Sequence, residues 1–161
     1  MTVSADAPST SAEAVGRKFL AMIASLKSPD DLSEEVVERA MGVPLEPGPG
    51  GPFASRPLVD DWVYVIVFVE QSPGRRKGAI LEFINKSDRG ADLSAVCELG
   101  FADYRDALIG MGFSEAPLTD ELGRINHVSY HKGDLAIGIT PELRVDTDGK
   151  AKPTCVRRIG L

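Results

Sequence analysis

Residues Asp60 to Glu70 read DDWVYVIVFVE. Every residue from Trp62 to Val69 is aromatic, β-branched or both in its immediate neighbours, a composition that fits a pleated, packed surface better than a helix. Apolar side chains fall on both alternating faces, so the run predicts a central strand covered on two sides. Ser72-Pro73-Gly74-Arg75 has turn chemistry, and Lys77 to Asn85 (KGAILEFIN) predicts the returning strand of a hairpin.

Upstream of this strand lies PLEPGPGGPFASRP, residues 44–57, with five prolines and three glycines. That density predicts a loop with no regular element. It is not a phosphate-cradling loop, because prolines remove the N–H donors, no lysine is present and a strand follows instead of a helix. Further upstream, Val15, Phe19, Met22, Ile23 and Leu26 recur at helical spacing and predict an amphipathic helix over 12–27. Ser33 to Met41 (SEEVVERAM) predicts a second, shorter helix, with acids in its first turn and Gly42 as its stop. Residues 1–11 read as a flexible tail, leaving 12–161 as one domain.

Downstream, a polar loop over 86–92 leads to an expected short strand near Ser94–Leu99. Phe101, Tyr104, Leu108 and Met111 are spaced as a helix that ends at Gly112. The period then changes to two. Phe113–Leu118, Ile125–His131 and Leu135–Thr140 predict strands, 141–153 a polar loop, and Thr154–Ile159 a last edge strand. The fold class expected is α+β: a mostly antiparallel sheet of about six or seven strands, an N-terminal helix pair and one middle helix.

Both histidines, His127 and His131, fall in one of these strands. Residues four apart on a strand share a face but lie about 13 Å from each other, too far for two ligands of one zinc. No metal and no cofactor is expected. Cys97 and Cys155 each lie in an apolar stretch and read as buried free thiols. The outside alternative is a small enzyme that uses Cys155, with Arg157 and Arg158 nearby to lower its pKa, and one histidine. No GxSxG or HExxH motif is present, and no catalytic constellation is expected.

The chain carries 18 basic and 24 acidic residues, a net charge of −6. That balance is unfavourable for phosphate backbones and anionic membranes, so neither nucleic acid nor membrane is expected as a partner. No apolar run approaches the roughly 20 residues a spanning helix needs, and no secretory leader is read at the start, which gives a cytoplasmic expectation. The acids cluster: nine stand against two arginines over 28–70, and six against one over 98–121. Two candidate partner-binding patches follow. One is Asp103, Asp106, Glu115, Asp120 and Glu121; the other is Asp60 and Asp61 beside the 44–57 loop. Opposite charge on a basic protein partner would speed its association.

Two stretches resemble bacterial immunity proteins that neutralise polymorphic or type VI secreted toxins. They are FLAMIASLKSPDDLSEEVVERAMGVPL (19–45), and CELGFADYRDALIGMGFSEAP with HVSYHKGDLAIGITPE (97–142). The resemblance implies a protein-binding inhibitor that covers a cognate toxin or effector. The chain is also similar to type III secretion chaperones as far as the middle helix. It departs from them by lacking a final helix; that similarity implies a homodimer binding an extended effector segment.

Overall fold

The computed structural model of the chain describes residues 10–161. Of the expected N-terminal tail, residues 1–9 lie outside the described residues, and Ser11 caps the first helix by accepting from the Ala14 N–H at 3.1 Å. Helix α1 (Ala12–Ser25) turns Val15, Phe19, Met22 and Ile23 inward, as their 3–4 residue spacing requires. A short 3-10 turn, Pro29–Asp31, follows, and the Asp31 carboxylate closes it by accepting from the Lys27 and Ser28 N–H groups. Helix α2 (Glu34–Met41) starts at Ser33, whose hydroxyl accepts from Val36 N–H, and stops at Gly42 with φ +72°.

Seven strands then build one antiparallel sheet: β1 (Phe53–Pro57), β2 (Trp62–Val69), β3 (Gly78–Asn85), β4 (Ser114–Thr119), β5 (Ile125–Lys132), β6 (Leu135–Val145) and β7 (Ala151–Gly160). Their order across the sheet is β1-β2-β3-β7-β6-β5-β4. Helix α3 (Phe101–Gly110) lies in the chain between β3 and β4. The α+β class, the helix pair and the middle helix are as the sequence predicts.

All three helices cover the same face of the sheet. Trp62, Tyr64, Ile66 and Phe68 of β2 form one core with Leu81 and Phe83 of β3, Ile159 of β7 and Ile137 and Ile139 of β6. Phe19 and Ile23 of α1, Val37 and Met41 of α2, and Tyr104 and Leu108 of α3 belong to the same core. Trp62 and Tyr64 are core residues on one face.

Five local expectations are corrected. Residues 44–57 are not free of regular structure: Phe53–Pro57 is β1, and Glu46 bridges back to Phe53. Only Pro57 of the five prolines lies in the strand, at the end of a sheet-edge element where a missing N–H is tolerated. Strand β2 is next to an edge and covered on one face only. The segment near Ser94 is a 3-10 turn (Ser94–Val96), not a strand. The last strand is not an edge but the middle of the seven, inserted between β3 and β6. It begins at Ala151 and β6 runs on to Val145, so most of the expected 141–153 loop is paired backbone. Register shifts beside Pro141 and Leu143 absorb the prolines of these two strands.

The cysteines are corrected as well. Cys97 and Cys155 are joined in a disulfide across 58 residues, with Cα atoms 5.4 Å apart. It ties the segment ahead of α3 to the central strand.

Candidate functional site

The second face of the sheet carries no helix. Strand alternation assigns its residues: Val63, Val65, Val67 and Val69 of β2 stand beside Ile84, Glu82, Ile80 and Gly78 of β3 in direct register. On the other half, His127 and Ser129 of β5 lie near Gly138 and Thr140 of β6. One half of the face is therefore aliphatic, and the other is made of small and polar side chains. Val65, Val67, Val69, Ile80 and Ile84 are only half-buried, which is why the sequence suggested a strand covered on both sides. The valines shield one another and the isoleucines without any layer above them.

Two open hollows run together across this face. One, of about 500 Å³, is lined by Val67, Val69, Gly78 and Ile80 with Arg75 and Arg76 at its rim. The other, of about 390 Å³, is lined by Ile80, Gly160, Gly138, Thr140, His127 and Arg158. Ile80 and Leu161 line both, so the two form one trough crossing the strands. Its floor is low because glycines meet there: Gly160 is the register partner of Ile80 on one side and of Gly138 on the other. The His127 ring leans over Gly138, where an added Cβ would sit 2.8 Å from Cε1. Arg75, Arg76 and Arg158 are exposed, and none joins an ion pair among the described residues.

The acids singled out in the sequence fall in three places. Asp60 and Asp61 sit at the turn between β1 and β2, at one edge of the sheet. Asp60 takes a left-handed φ of +53°, and the Asp61 carboxylate accepts from the Ser87 hydroxyl. Glu115, Asp120 and Glu121 lie on β4 and the turn after it, at the opposite edge, and Asp103 and Asp106 lie on α3.

Of those five, four are engaged by internal partners. Asp103 accepts from the Gly100 N–H at 2.9 Å and so holds the start of α3. Arg105 reaches Glu115 at 3.0 Å and Asp106 at 3.6 Å, which brings this part of the patch together and partly neutralises it. Asp120 accepts from the Leu122 and Arg124 N–H groups and from the Arg124 guanidinium at 2.8 Å. Those bonds, the Arg124 N–H first, hold its carboxyl below the ordinary carboxylate range. Glu121 is exposed on the β4–β5 turn. Sequence reasoning read these residues as free charge because the partners that hold them, Arg105 above all, are fixed only by the fold.

Tyr130 donates to Glu115 at 2.8 Å from a position with no exposed surface. Burial, with the Glu115 contact second, pushes its hydroxyl well above the usual tyrosine range. His127 and His131 lie on β5 as predicted, and no group of three metal-ligating side chains occurs among the described residues. Cys155 is held in the disulfide, so the oxidised chain offers no thiol at that position. No helix is long and apolar enough to cross a membrane among the described residues.

Comparison with protein-family models, with curated proteins and with solved structures finds no match to this chain.

Proposed function

We propose that this chain acts by binding another protein, and that its use is to neutralise a secreted bacterial toxin or effector in the manner of an immunity protein. The observation that carries the reading is the uncovered sheet face. The six spacings between seven strands, at about 4.8 Å each, and eight residues at about 3.3 Å make an area of roughly 750 Å². That is close to the ~800 Å² each partner contributes to a standard interface. About half of it is aliphatic, a patch of the size that on a monomer is often functional.

The acidic patches support this reading less than the sequence suggested, since Asp61, Asp103, Asp106, Glu115 and Asp120 are occupied by internal contacts. The disulfide favours action in an oxidising compartment over the cytoplasmic expectation, because cytosolic thiols are kept reduced.

The test is capture followed by rescue. Proteins retained by the immobilised chain, but not by a Val67→Glu variant, are expressed in a host cell with and without this chain. Relief of the captured protein's toxicity on co-expression is the expected outcome. A captured partner that is harmless by itself, or whose toxicity is undiminished, would sink the toxin reading.

A further inference from the structure

We infer that the glycine-floored trough of the uncovered face receives an extended segment of a partner protein in which large apolar side chains alternate with carboxylates. The inference rests on the protein-binding reading above and names the chemistry of what is bound there.

The shape comes first. Val67 and Val69 stand toward one end of the trough and the His127 ring lies over Gly138 at the other, so the low middle is at Gly160, edged by the Ile80 side chain. A low floor between apolar walls accepts a bulky side chain from above, and a desolvated pocket for one or two anchors is where binding energy concentrates. The two hollows join through Ile80 and Leu161, so an occupant spanning both is elongated and crosses the strands.

Charge then selects among elongated occupants. The chain as a whole is acidic, at −6, yet this face runs the other way. Arg75 and Arg76 stand at one end of the trough and Arg158 near its middle. Two acids lie near them, Glu82 opposite Arg158 across β3 and β7 and Asp134 in a hollow shared with Arg76, and neither is within ion-pair distance of an arginine. An arginine rim that lacks internal carboxylate partners is complementary to carboxylates arriving from outside, and guanidinium groups suit them better than ammonium groups do. A basic segment would meet repulsion at one end and near the middle. Most carboxylates of the acidic patches are held by internal partners, and none of them pairs with the three arginines.

Selection from a random peptide library displayed on phage, with the full chain as bait, tests this directly. Enriched sequences are expected to combine Asp or Glu with Leu, Phe or Trp. Synthetic versions should bind with an affinity lowered at least about tenfold by Arg75→Glu/Arg76→Glu/Arg158→Glu and by added salt. Because those arginines are exposed, the triple variant is expected to fold, and circular dichroism checks it. Should it not fold, Val67→Glu serves in its place.

A basic or uncharged consensus, equal binding to the variant, or no enrichment over bare support would overturn the inference. So would a concentration-dependent dimer dispersed by Val67→Glu, which would mean that a second copy occupies the face. The two readings fail separately. A toxin bound elsewhere on the chain leaves the proposed function standing without the trough, and acidic peptides in the trough without any rescued toxin leave the trough standing alone.

Discussion

Glu115 accepts the Tyr130 hydroxyl at 2.8 Å and the Arg105 guanidinium at 3.0 Å. Tyr130 has no exposed surface, so its hydroxyl depends on this one acceptor. Glu115→Ala strands a buried donor and is expected to cost about 1–3 kcal/mol, whereas Glu115→Gln keeps an acceptor and costs less. Tyr130→Phe removes the donor itself and is expected to cost about 1 kcal/mol, because Glu115 keeps Arg105. Denaturant melts of the three variants give the ranking, and an alanine variant as stable as the parent would refute the buried bond.

The three tyrosines carry a pH dependence of known sign. Tyr64, Tyr104 and Tyr130 are all raised from the ordinary value, by burial first in each case. A raised group keeps its full contribution below the unfolded pKa of about 10 and loses it as pH climbs beyond that. Native protein at pH near 10 is therefore expected to show less tyrosinate absorbance than the unfolded chain, and alkaline unfolding to release the remainder in one step. Gradual ionisation without unfolding would contradict their burial.

At the scale of elements, the seat of α1 against α3 depends on Gly16. A Cβ there would fall inside the contact distance of the Tyr104 hydroxyl and 2.8 Å from Leu99 Cδ2. Gly16→Ala is expected to cost about 1–3 kcal/mol by overpacking, despite the better helix propensity of alanine. The Tyr104 hydroxyl has no hydrogen-bond partner among the described residues. Tyr104→Phe should then be close to neutral and should lessen the cost of Gly16→Ala in the double variant. Additive losses in calorimetry would mean that the hydroxyl is not what the new methyl group meets.

The same scale explains which elements were legible. The helices announce themselves by spacing and caps: Ser11, Ser33 and Gly42 stand where α1 and α2 start and stop. Hairpins β2–β3 and β5–β6 are closed by short turns, so their pairing is local. Strand β7 was misplaced because nothing within Thr154–Ile159 encodes its neighbours. Its partners β3 and β6 come from opposite sides of α3, and only assembly of the sheet brings them to it. The trough was invisible for a related reason. Gly138 and Gly160 are 22 residues apart in the chain and become one floor only through register.

For the whole molecule, the disulfide is the cross-link that local reasoning missed. Each cysteine sits in an apolar stretch that reads equally well as a buried thiol, and pairing depends on the intervening segment, across a sequence separation of 58, folding back. Those residues include α3 and strands β4 to β6, so the bond closes a loop around nearly half of the sheet. In the chain-entropy treatment a loop of this length contributes about 4 kcal/mol at 25 °C, within the 2–5 kcal/mol that removal of a native disulfide commonly costs. Small domains have net stabilities of only about 5–15 kcal/mol, so the loss is a large fraction of the whole. Reduction, or Cys97→Ala/Cys155→Ala, is expected to lower the denaturant midpoint strongly while far-ultraviolet circular dichroism at low denaturant stays native, since the apolar core is otherwise intact. Thiol counting on the denatured, unreduced protein checks the premise: no free thiol is expected. Two free thiols in protein prepared under oxidising conditions, with a midpoint insensitive to reductant, would remove the cross-link and restore the cytosol as a fitting compartment.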